Sequence, residues 1–538
     1  MATVTTWAGV PPSSNGASRK THKAKDGHRA LSDSMDRVLN TLENLRGAAR
    51  DAADNDDLVH DLRVSIRRCR SVAELLGEVD PEPAWPAMRH AAKKLFDGLG
   101  ALRDAQVLKS WVQRLGPPED PIASQMLADF SAREPQLRQA AFRAARKFDE
   151  KKWRRLERGL RQRSRLVPLG SLAAECLVLE RFETAKELHS RALRTEKPKP
   201  WHALRKSVKR FRYTVENLLP EHHLSWREDL KRVQDLLGDV HDFDVLAESV
   251  ENVSVEDAAT ENVAASRHAW RELLARERAE RIATYRQLTT GNTSLWSAWR
   301  HALPHGERLQ AAAMARLRVT ARAADTHPHR TARTTRIAKS LFDSLRRAKV
   351  AAAFADPRAR QLLAAAAGLH NVRSESSDDS RQAKSRQKIA HKFLQRLAKP
   401  PGLLSDDWNI LLATVRYHRG PEPQEKSPVF SKLSRDQQNQ VRALAGVLRL
   451  ARALRKSGID ASLRFRAENT GEAVILRIPS LPDSIETAAR LAAAKHLLEV
   501  HLAKPIVLRP PLTTTQILTP ADTSSAKAEL KHFAVASD

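Results

Sequence analysis

A row of basic side chains lies at helical spacing in the segment VHDLRVSIRRCRSVAELL, residues 59–76. Residues three and four positions apart share one face of an α-helix, so spacings of three, four and three predict a continuous cationic strip. Guanidinium groups present planar sets of N–H donors that match phosphate oxygens, and imidazole adds a donor that titrates near neutral pH. The strip therefore favours an anionic ligand rich in oxygen, and it comprises His60, Arg63, Arg67 and Arg70.

The basic helix is repeated 142 positions later in the segment WHALRKSVKRFRYTVENLL, residues 201–219. Cations along one helix face repel one another by roughly a few tenths of a kcal/mol per pair. A merely solvated basic face gives no reason to repeat such a strip in register, so the recurrence indicates an anion that neutralises both copies. A duplicated helix that has lost its ancestral role is the alternative. The second strip comprises His202, Arg205, Lys209 and Arg212.

A second block repeats at an offset of 138, with RHAAKKLFDGLGALRDAQVL at residues 89–108 and REDLKRVQDLLGDVHDFDVL at residues 227–246. Both copies carry a Leu-Gly pair followed by an aspartate four positions after the glycine. Residues 28–300 are therefore predicted to contain two copies of one helical unit related by a pseudo-two-fold axis.

The composition favours polyanionic partners. The 538 residues include 92 Lys and Arg against 64 Asp and Glu, a net charge of +28 that suits nucleic acid, an anionic membrane surface or a phosphate polymer. Only Cys69 and Cys176 occur, which excludes a disulfide framework and a paired-cysteine zinc site and fits a cytoplasmic location. No apolar run is long enough to span a membrane. Aromatic residues are 5% of the chain, which disfavours stacking platforms for single strands.

Periodicity and composition predict a mainly α-helical chain with several parts. Residues 1–27 are predicted to be a disordered basic tail, and residues 28–300 to form helix after helix. A second helical domain is predicted over residues 306–458, followed by a small α+β segment over residues 459–510 with short β-branched runs. Residues 511–538 are rich in Thr and Ser and are predicted to be a flexible tail.

The repeated helices and the two Leu-Gly segments together resemble the conserved histidine α-helical domain, CHAD, over about residues 28–295. The resemblance implies two pseudo-symmetric helical bundles around a basic cavity that binds inorganic polyphosphate. His241 departs from the internal pattern, because the first half has Arg103 at that position. The polyphosphate role carried over from the family falls on His60, Arg63, Arg67, Arg70, Lys94, Arg103, His202, Arg205, Lys209, Arg212, Lys231 and His241.

The His60-Asp61 dipeptide raises a separate possibility, because His-Asp pairs ligate divalent metals in HD-type phosphohydrolases. The second copy has Ala203 after its histidine, and adjacent residues on a helix point about 100° apart. Arg63 and Arg67 would also repel a dication at this place. We therefore predict no metal at His60.

The C-terminal half resembles another family through DTHPHRTARTTRIAKSLFDSL, RARQLLAAAAGLHNVR, LLATVRYHRGPEP and VRALAGVLRLARALRKSG. These segments are similar to the HD-type C-terminal domain of the exopolyphosphatase and guanosine-pentaphosphate phosphatase family. The resemblance implies a metal site with His329, His370 and two aspartates. Asn371 and Arg452 stand at the aspartate positions, and hard dications need anionic oxygen ligands. The HD-like site is therefore predicted to be vestigial.

The RYHRG segment supplies Arg416, His418 and Arg419 as candidate phosphate contacts, with simple packing or solvation as the alternative. The function predicted for the whole chain is non-enzymatic binding of inorganic polyphosphate without a cofactor. The alternatives are a metal-dependent phosphohydrolase acting on polyphosphate or a related phosphoanhydride, and a nucleic-acid-binding protein, for which only non-specific contact is expected. The predicted location is the cytoplasm, with polyphosphate granules as one place within it, and no oligomeric state is predicted.

Overall fold

The computed structural model describes residues 27–47, 55–117, 119–254, 260–372, 386–460, 464–482 and 484–511. The two predicted tails lie outside these residues, apart from their innermost positions at 27 and 511. The described chain is mainly helical, with eighteen α-helices, two short 3-10 helices and one three-stranded sheet. This architecture confirms the predicted fold class.

The N-terminal region contains the first eleven α-helices. Two proline-containing segments lead into helices, GPPEDP at residues 116–121 into α5 and EKPKP at residues 196–200 into α8. Pro121 and Pro198 begin α5 and α8, because a proline in the first turn lacks only an N–H that has no intrahelical partner. The elements are α1 (Gly27–Gly47), α2 (Asn55–Gly77), α3 (Ala84–Gly98), α4 (Gly100–Leu115), α5 (Pro121–Arg146), α6 (Glu150–Arg161), the 3-10 helix η1 (Arg163–Leu166), α7 (Leu172–Ala192), α8 (Pro198–Leu218), α9 (Pro220–Asn252), α10 (Thr260–Thr289) and α11 (Leu295–Ala302).

Helices α2 and α8, the two copies of the basic helix, pack against each other. Arg68 on α2 pairs with Glu216 on α8 at 3.2 Å, and Arg210 on α8 pairs with Glu74 on α2 at 3.2 Å. Arg68 corresponds to Arg210 in the repeat, and Glu74 corresponds to Glu216. Exchanging the two halves therefore converts one ion pair into the other, as a two-fold relation requires. A pseudo-two-fold axis passes between α2 and α8.

One hydrophobic core extends through both repeats. Buried apolar side chains from α1, α2 and α3 belong to the same core as those from α7, α8 and α9. Its aromatic centre joins Phe182, Phe211, Trp296 and Trp299, whose ring centroids lie between 5.3 and 6.3 Å apart. Burial of such large apolar surfaces is the dominant stabilising contribution in a fold of this kind. The shared core fixes the position of α2 relative to α8.

The two halves differ where the second repeated block folds. In the first half a break at Leu99 separates α3 from α4, whereas the second half forms the continuous helix α9. A Cβ atom on Gly100 would lie 3.1 Å from Nη1 of Arg63, while a Cβ on the equivalent Gly238 would have no neighbour within 4 Å. The glycine of the first copy therefore leaves room for the Arg63 guanidinium.

The C-terminal region begins after residues 303–305, which connect α11 to the next helix. Its first helix packs against α7 as well as against its own region, and the buried Arg316 pairs with Glu180 of α7 at 2.6 Å. The two regions are thus joined by a packed contact with a buried ion pair. The helices are α12 (Gly306–Ala324), α13 (Pro328–Arg347), the 3-10 helix η2 (Ala352–Phe354), α14 (Pro357–Leu369), α15 (Arg386–Arg396), α16 (Ser405–Tyr417) and α17 (Arg435–Lys456).

The small α+β segment folds as predicted. Strand β2 (Val474–Arg477) lies between β1 (Arg466–Asn469) and β3 (Ile506–Arg509), antiparallel to β1 and parallel to β3. Helix α18 (Ile485–Leu502) supplies the crossover that a parallel pair needs, and it packs against α17. A Cβ on Gly446 would lie 3.0 Å from Leu498, so glycine allows this close approach. None of the described helices combines the length and apolarity needed to cross a membrane.

Candidate functional site

The two basic strips meet where α2 packs on α8. Burial lowers the pKa of Arg205 on α8, and Arg67 on α2 lowers it further. The pKa of Lys209 falls to about 7 because the amine is buried and because Arg205, Arg67 and Arg63 lie close to it. Burial lowers the pKa of Arg63, and Arg103 on α4 is among the charges that lower it further. Arg70 lies over the same Phe96 ring as Arg63 and Arg67. We call this set the central basic cluster, and it comprises His60, Arg63, Arg67, Arg70, Arg103, His202, Arg205, Lys209 and His241.

Arg63 is the most deeply buried cation of the central basic cluster, with 8% of its surface exposed. Its guanidinium lies 4.6 Å from the centroid of the Phe96 ring, and its Nη2 lies 3.6 Å from Oδ1 of Asp104. Its Nη1 is buried and has no hydrogen-bond partner among the described residues. A buried donor without a partner costs roughly 1–3 kcal/mol, which an incoming acceptor would offset. This arrangement is suited to an anion.

Each repeat places one aspartate beside its buried arginine. Asp104 contacts Arg63, and the attraction of Asp242 and Asp104 for Arg205 partly counters the effect of burial on its pKa. The two aspartates correspond to each other in the repeat. Lys209 keeps a pKa of about 7 despite the attraction of Asp242. The aspartates therefore orient the guanidinium groups without neutralising the central basic cluster.

The three histidines of the cluster have lowered pKa values. His202 and His241 face each other, with their Nδ1 atoms 3.2 Å apart. Burial lowers the pKa of both, and the neighbouring Arg205 helps to bring that of His241 to about 4. Burial and then Arg103 lower the pKa of His60. The imidazoles are therefore largely neutral at pH 7 until a bound anion raises their pKa values.

Three of the predicted polyphosphate-binding residues lie at the margin of this arrangement. Lys94 is exposed on α3, and Lys231 is exposed on α9, where it pairs with Asp235 at 3.7 Å. Neither lysine is among the charges that dominate the surroundings of the central basic cluster. Arg212 lies near His223. Burial lowers the pKa of His223, and Arg212 is among the charges that lower it further. The structure therefore does not bring these three into the central basic cluster.

Sequence reasoning missed the side chains that hold the arginines in place. The Phe96 ring lies 4.6 Å from the guanidinium carbon of Arg63, 5.7 Å from that of Arg67 and 4.9 Å from that of Arg70. Such cation–π contacts position guanidinium groups and leave their charge available. Asp104 was visible as a repeated residue after the Leu-Gly pair. Phe96 gave no signal, because the second repeat has no aromatic residue at that position.

A second basic region is a cavity of about 140 Å³ in the C-terminal half. The first turns of α13, the ends of α14 and α16 and the last turn of α17 supply its lining. No residue of this described lining is a carboxylate. We call it the C-terminal cavity, and it is lined by His327, Arg330, Thr331, Thr334, His370, Asn371, His418, Arg419, Arg452, Arg455 and Lys456.

The comparison with protein-family models matches the CHAD domain over residues 34–251 and the Ppx/GppA phosphatase, domain III, over residues 319–501. The N-terminal region carries a CHAD domain. The C-terminal region carries a Ppx/GppA domain III. A crystal structure of the CHAD domain from the plant Ricinus communis is also similar, with 24% sequence identity, a TM-score of 0.33, and coverage of 54% of this chain and 98% of that chain. No curated protein sequence matches this chain.

Within the Ppx/GppA domain III, the C-terminal cavity collects most of the predicted residues but not all of them. His370, Asn371, His418, Arg419 and Arg452 line the cavity together. Two others, His329 and Arg416, are not among its lining residues. His329 is exposed on the first turn of α13, whereas His327, the residue just before that helix, lines the cavity. Arg416 instead lies 5.4 Å from the Tyr417 ring.

The C-terminal cavity does not fit a divalent metal. Burial and then Arg452 lower the pKa of His370 to about 3, and the same causes lower the pKa of His418 well below its ordinary value. Asn371 donates from its amide nitrogen to Oδ1 of Asp325, 3.3 Å away, and Asp325 is not among the lining residues. The described residues contain no group of three or more side chains able to hold a metal ion. Cations around the imidazoles would repel a dication.

Proposed function

We propose that the chain is a non-enzymatic polyphosphate-binding protein whose ligand lies along the central basic cluster of the CHAD domain. The observation that carries the proposal is the convergence of Arg67 from α2 with Arg205 and Lys209 from α8. Arginine and lysine bind phosphate oxygens through charge-assisted hydrogen bonds, which are about twice as strong as neutral ones. A partly desolvated cluster of this kind gains most from a ligand that carries charge along its length.

The dimensions of the strips support a polymer over a single ion. Each strip extends over eleven residues from its histidine to its last arginine, or about 15 Å for ten steps of 1.5 Å. The two strips belong to different repeats and are brought together across the pseudo-two-fold axis. A chain of several phosphates could therefore contact both repeats at once, with Arg63 and Arg205 at equivalent places.

The proposal assigns no hydrolysis to the Ppx/GppA domain III. Asn371 and Arg452 supply no anionic oxygen where the resemblance expects aspartates, and five cations line the cavity. We expect no release of phosphate from long-chain polyphosphate in the presence of Mg²⁺ or Mn²⁺. Release that disappeared in His370→Ala would instead establish an enzyme. In the cell, the proposed function corresponds to a cytoplasmic chain at polyphosphate granules, which imaging of a tagged chain can test.

The binding proposal is tested with the full chain and long-chain polyphosphate at one fixed salt concentration, because such affinities depend steeply on salt. The double variant Arg63→Gln with Arg205→Gln removes the two equivalent buried cations. A hydrogen bond to a charged group contributes about 1.5–3 kcal/mol, so we expect an affinity at least about 100-fold weaker. The matched control is Arg154→Gln with Arg155→Gln, two exposed arginines on α6, which packs on α1 and α3 and not on α8.

Competition separates polyphosphate from nucleic acid. We expect duplex DNA and single-stranded RNA at equal phosphate concentration to displace little of the bound polyphosphate, since no base-reading motif accompanies the central basic cluster. Equal displacement would instead identify a general binder of nucleic acid. An unchanged affinity in the Arg63 and Arg205 double variant, with the control also unchanged, would show that the ligand does not lie on α2 and α8.

A further inference from the structure

The cations of the C-terminal cavity are only partly engaged in holding the fold: Nη1 of Arg452 donates to the carbonyl oxygen of His418, 3.1 Å away. Other arginines nearby are bound to the backbone: Arg333 donates to the carbonyl oxygens of Gly458 and Ile459, and Arg449 donates to those of Tyr417 and Gly420. Arg455, in contrast, has a buried Nε with no hydrogen-bond partner among the described residues. Unpaired buried donors are uncommon in folded proteins and call for a ligand or ordered water.

The cations of this cavity also act on one another. Burial lowers the pKa of Lys456, and Arg452, Arg419 and Arg455 lower it further. Burial and then Arg330 lower the pKa of Arg455. Helical spacing places Arg452, Arg455 and Lys456 on one face of α17, so three of the charges come from a single turn. A fold that concentrates like charges in a small space without a lining carboxylate favours an anion there.

The two buried histidines add a second kind of group. Nδ1 of His370 lies 2.6 Å from the carbonyl oxygen of Ala367, and Nδ1 of His418 lies 2.6 Å from that of Val415. A carbonyl accepts only, so each Nδ1 must carry the proton of the neutral ring, and each Nε2 is then an acceptor. The lining therefore combines cationic donors with two neutral acceptors.

Such a lining matches an oxyanion that carries a proton of its own. Hydrogen phosphate offers oxygens to the arginines and an O–H to an imidazole Nε2, whereas sulfate has no proton to donate near neutral pH. Sites built to hydrogen-bond a donor strongly reject an analogue that lacks it. A cavity of about 140 Å³ suits a compact ion better than a polymer.

We propose that the C-terminal cavity is a binding site for a single protonated phosphate group, either free orthophosphate or the terminal group of a phosphate monoester. This site is separate from the central basic cluster and does not rest on polyphosphate binding there. The contacts fall to Arg452, Arg455 and Lys456 of α17, with His370 and His418 as acceptors for the phosphate proton.

The test is calorimetric titration of the full chain with inorganic phosphate and, separately, with sulfate at matched ionic strength. We use the Arg63→Gln, Arg205→Gln background, so that phosphate cannot bind at these two cations of the central basic cluster. The expected result is one site per chain, with sulfate at least about tenfold weaker than phosphate, a difference of about 1.4 kcal/mol. Equal affinities for the two ions, or no binding of phosphate, would overturn the proposal.

A second variant locates the site. Adding Arg455→Gln and Lys456→Gln to the same background should weaken phosphate binding by at least about tenfold. The same two changes in the otherwise unmodified chain should leave polyphosphate affinity intact, which also shows that the chain folds. Lys456→Gln alone, at an exposed position, provides a milder version if the double change unfolds the domain. Unchanged phosphate affinity in these variants would place the ion elsewhere and contradict the proposal.

Methyl phosphate distinguishes the two sources of the ligand. Binding comparable to that of orthophosphate supports a monoester terminus, and exclusive binding of orthophosphate supports the free ion. Both results require that the affinity depend on Arg455 and Lys456. Failure of the polyphosphate test in the CHAD domain would leave these results unaffected, so the two proposals can fail separately.

Discussion

The chain carries two basic sites that are built in different ways. The central basic cluster is one site to which both copies of the repeat contribute residues. Its arginines are oriented by Asp104, Asp242 and the Phe96 ring. The C-terminal cavity is formed once, from four helices, and its described lining contains no carboxylate or aromatic ring other than the imidazoles. The first site therefore spreads charge along two helices, while the second concentrates it around a small space.

This difference shows how the arrangement of charge can select the size of an anion. A strip of about 15 Å binds most tightly a ligand that carries repeated charges along its length. A small cavity binds most tightly a compact ligand that satisfies several donors and acceptors at once. In both places desolvation and neighbouring cations lower the pKa of a lysine, Lys209 in one and Lys456 in the other. The net charge of +28 is therefore not spread evenly over a surface but concentrated in part at two sites.

The largest change in the difference between the two basic sites should come from placing carboxylates in the C-terminal cavity. The double variant Asn371→Asp with Arg452→Asp would add two anionic groups close to Asp325, His370 and His418. We expect phosphate binding in the cavity to be lost and Mn²⁺ to stabilise the variant. A metal at about 100 times its dissociation constant adds about 2.7 kcal/mol to the free energy of unfolding. Thermal unfolding with and without Mn²⁺ measures this difference.

The natural chain is the control for this experiment, because its cavity should gain no stability from Mn²⁺. Polyphosphate affinity should remain the same in the variant, since the changes lie outside the CHAD domain. Mn²⁺ stabilisation of the natural chain that required His370 would show that the present lining already holds a metal.

Local periodicity predicted the elements well, because an amphipathic helix is encoded by its own residues. Short-range patterns predicted the strips on α2 and α8 and the short β-branched runs that form β2 and β3. The repeat went further, since equivalence between Arg63 and Arg205 predicted that both would occupy the same structural place.

Contacts between distant segments were not predictable in the same way. Phe96 meets Arg63, Arg67 and Arg70 only because α3 packs against α2, which depends on the whole core. The C-terminal cavity similarly includes Arg455, which stands one turn after Arg452 on α17 and was not singled out from the sequence. The resemblance pointed to Arg452, because an expected metal ligand stands at that position. The helical spacing of three residues would have indicated Arg455 as its neighbour on the same face.

The central basic cluster can be tested further by its pH dependence. Lys209 has a pKa of about 7 in the free protein, set by burial, by Arg205, Arg67 and Arg63, and in the opposite sense by Asp242. A bound polyanion raises this pKa, so binding takes up a proton and affinity should fall as pH rises above 7. We expect a loss of about tenfold for each unit by which binding raises the pKa. Calorimetry in buffers of different ionisation enthalpy measures the proton uptake directly.

Lys209→Arg is the matched variant for this prediction, because a guanidinium stays charged throughout the range. Its affinity should be nearly constant between pH 7 and 9, the interval over which the natural chain weakens. The contribution of His202 and His241 begins to fall at lower pH than that of Lys209, since burial and neighbouring cations lower both pKa values in the free protein. An equal decline in both chains above pH 7 would show that Lys209 is not the group that titrates.

The smallest effect concerns the symmetry that brings the two strips together. Arg68 with Glu216 and Arg210 with Glu74 are equivalent ion pairs across the axis, each at 3.2 Å. Side-chain exposure is 32% for Arg68 and 56% for Arg210, so solvent screens the second pair more. Double-mutant cycles with Arg→Gln and Glu→Gln changes, followed by urea unfolding, should give coupling energies of about 0.2–1 kcal/mol, larger for Arg68. Coupling in one pair alone would show that the halves, though related by sequence, no longer support each other equally at their contact.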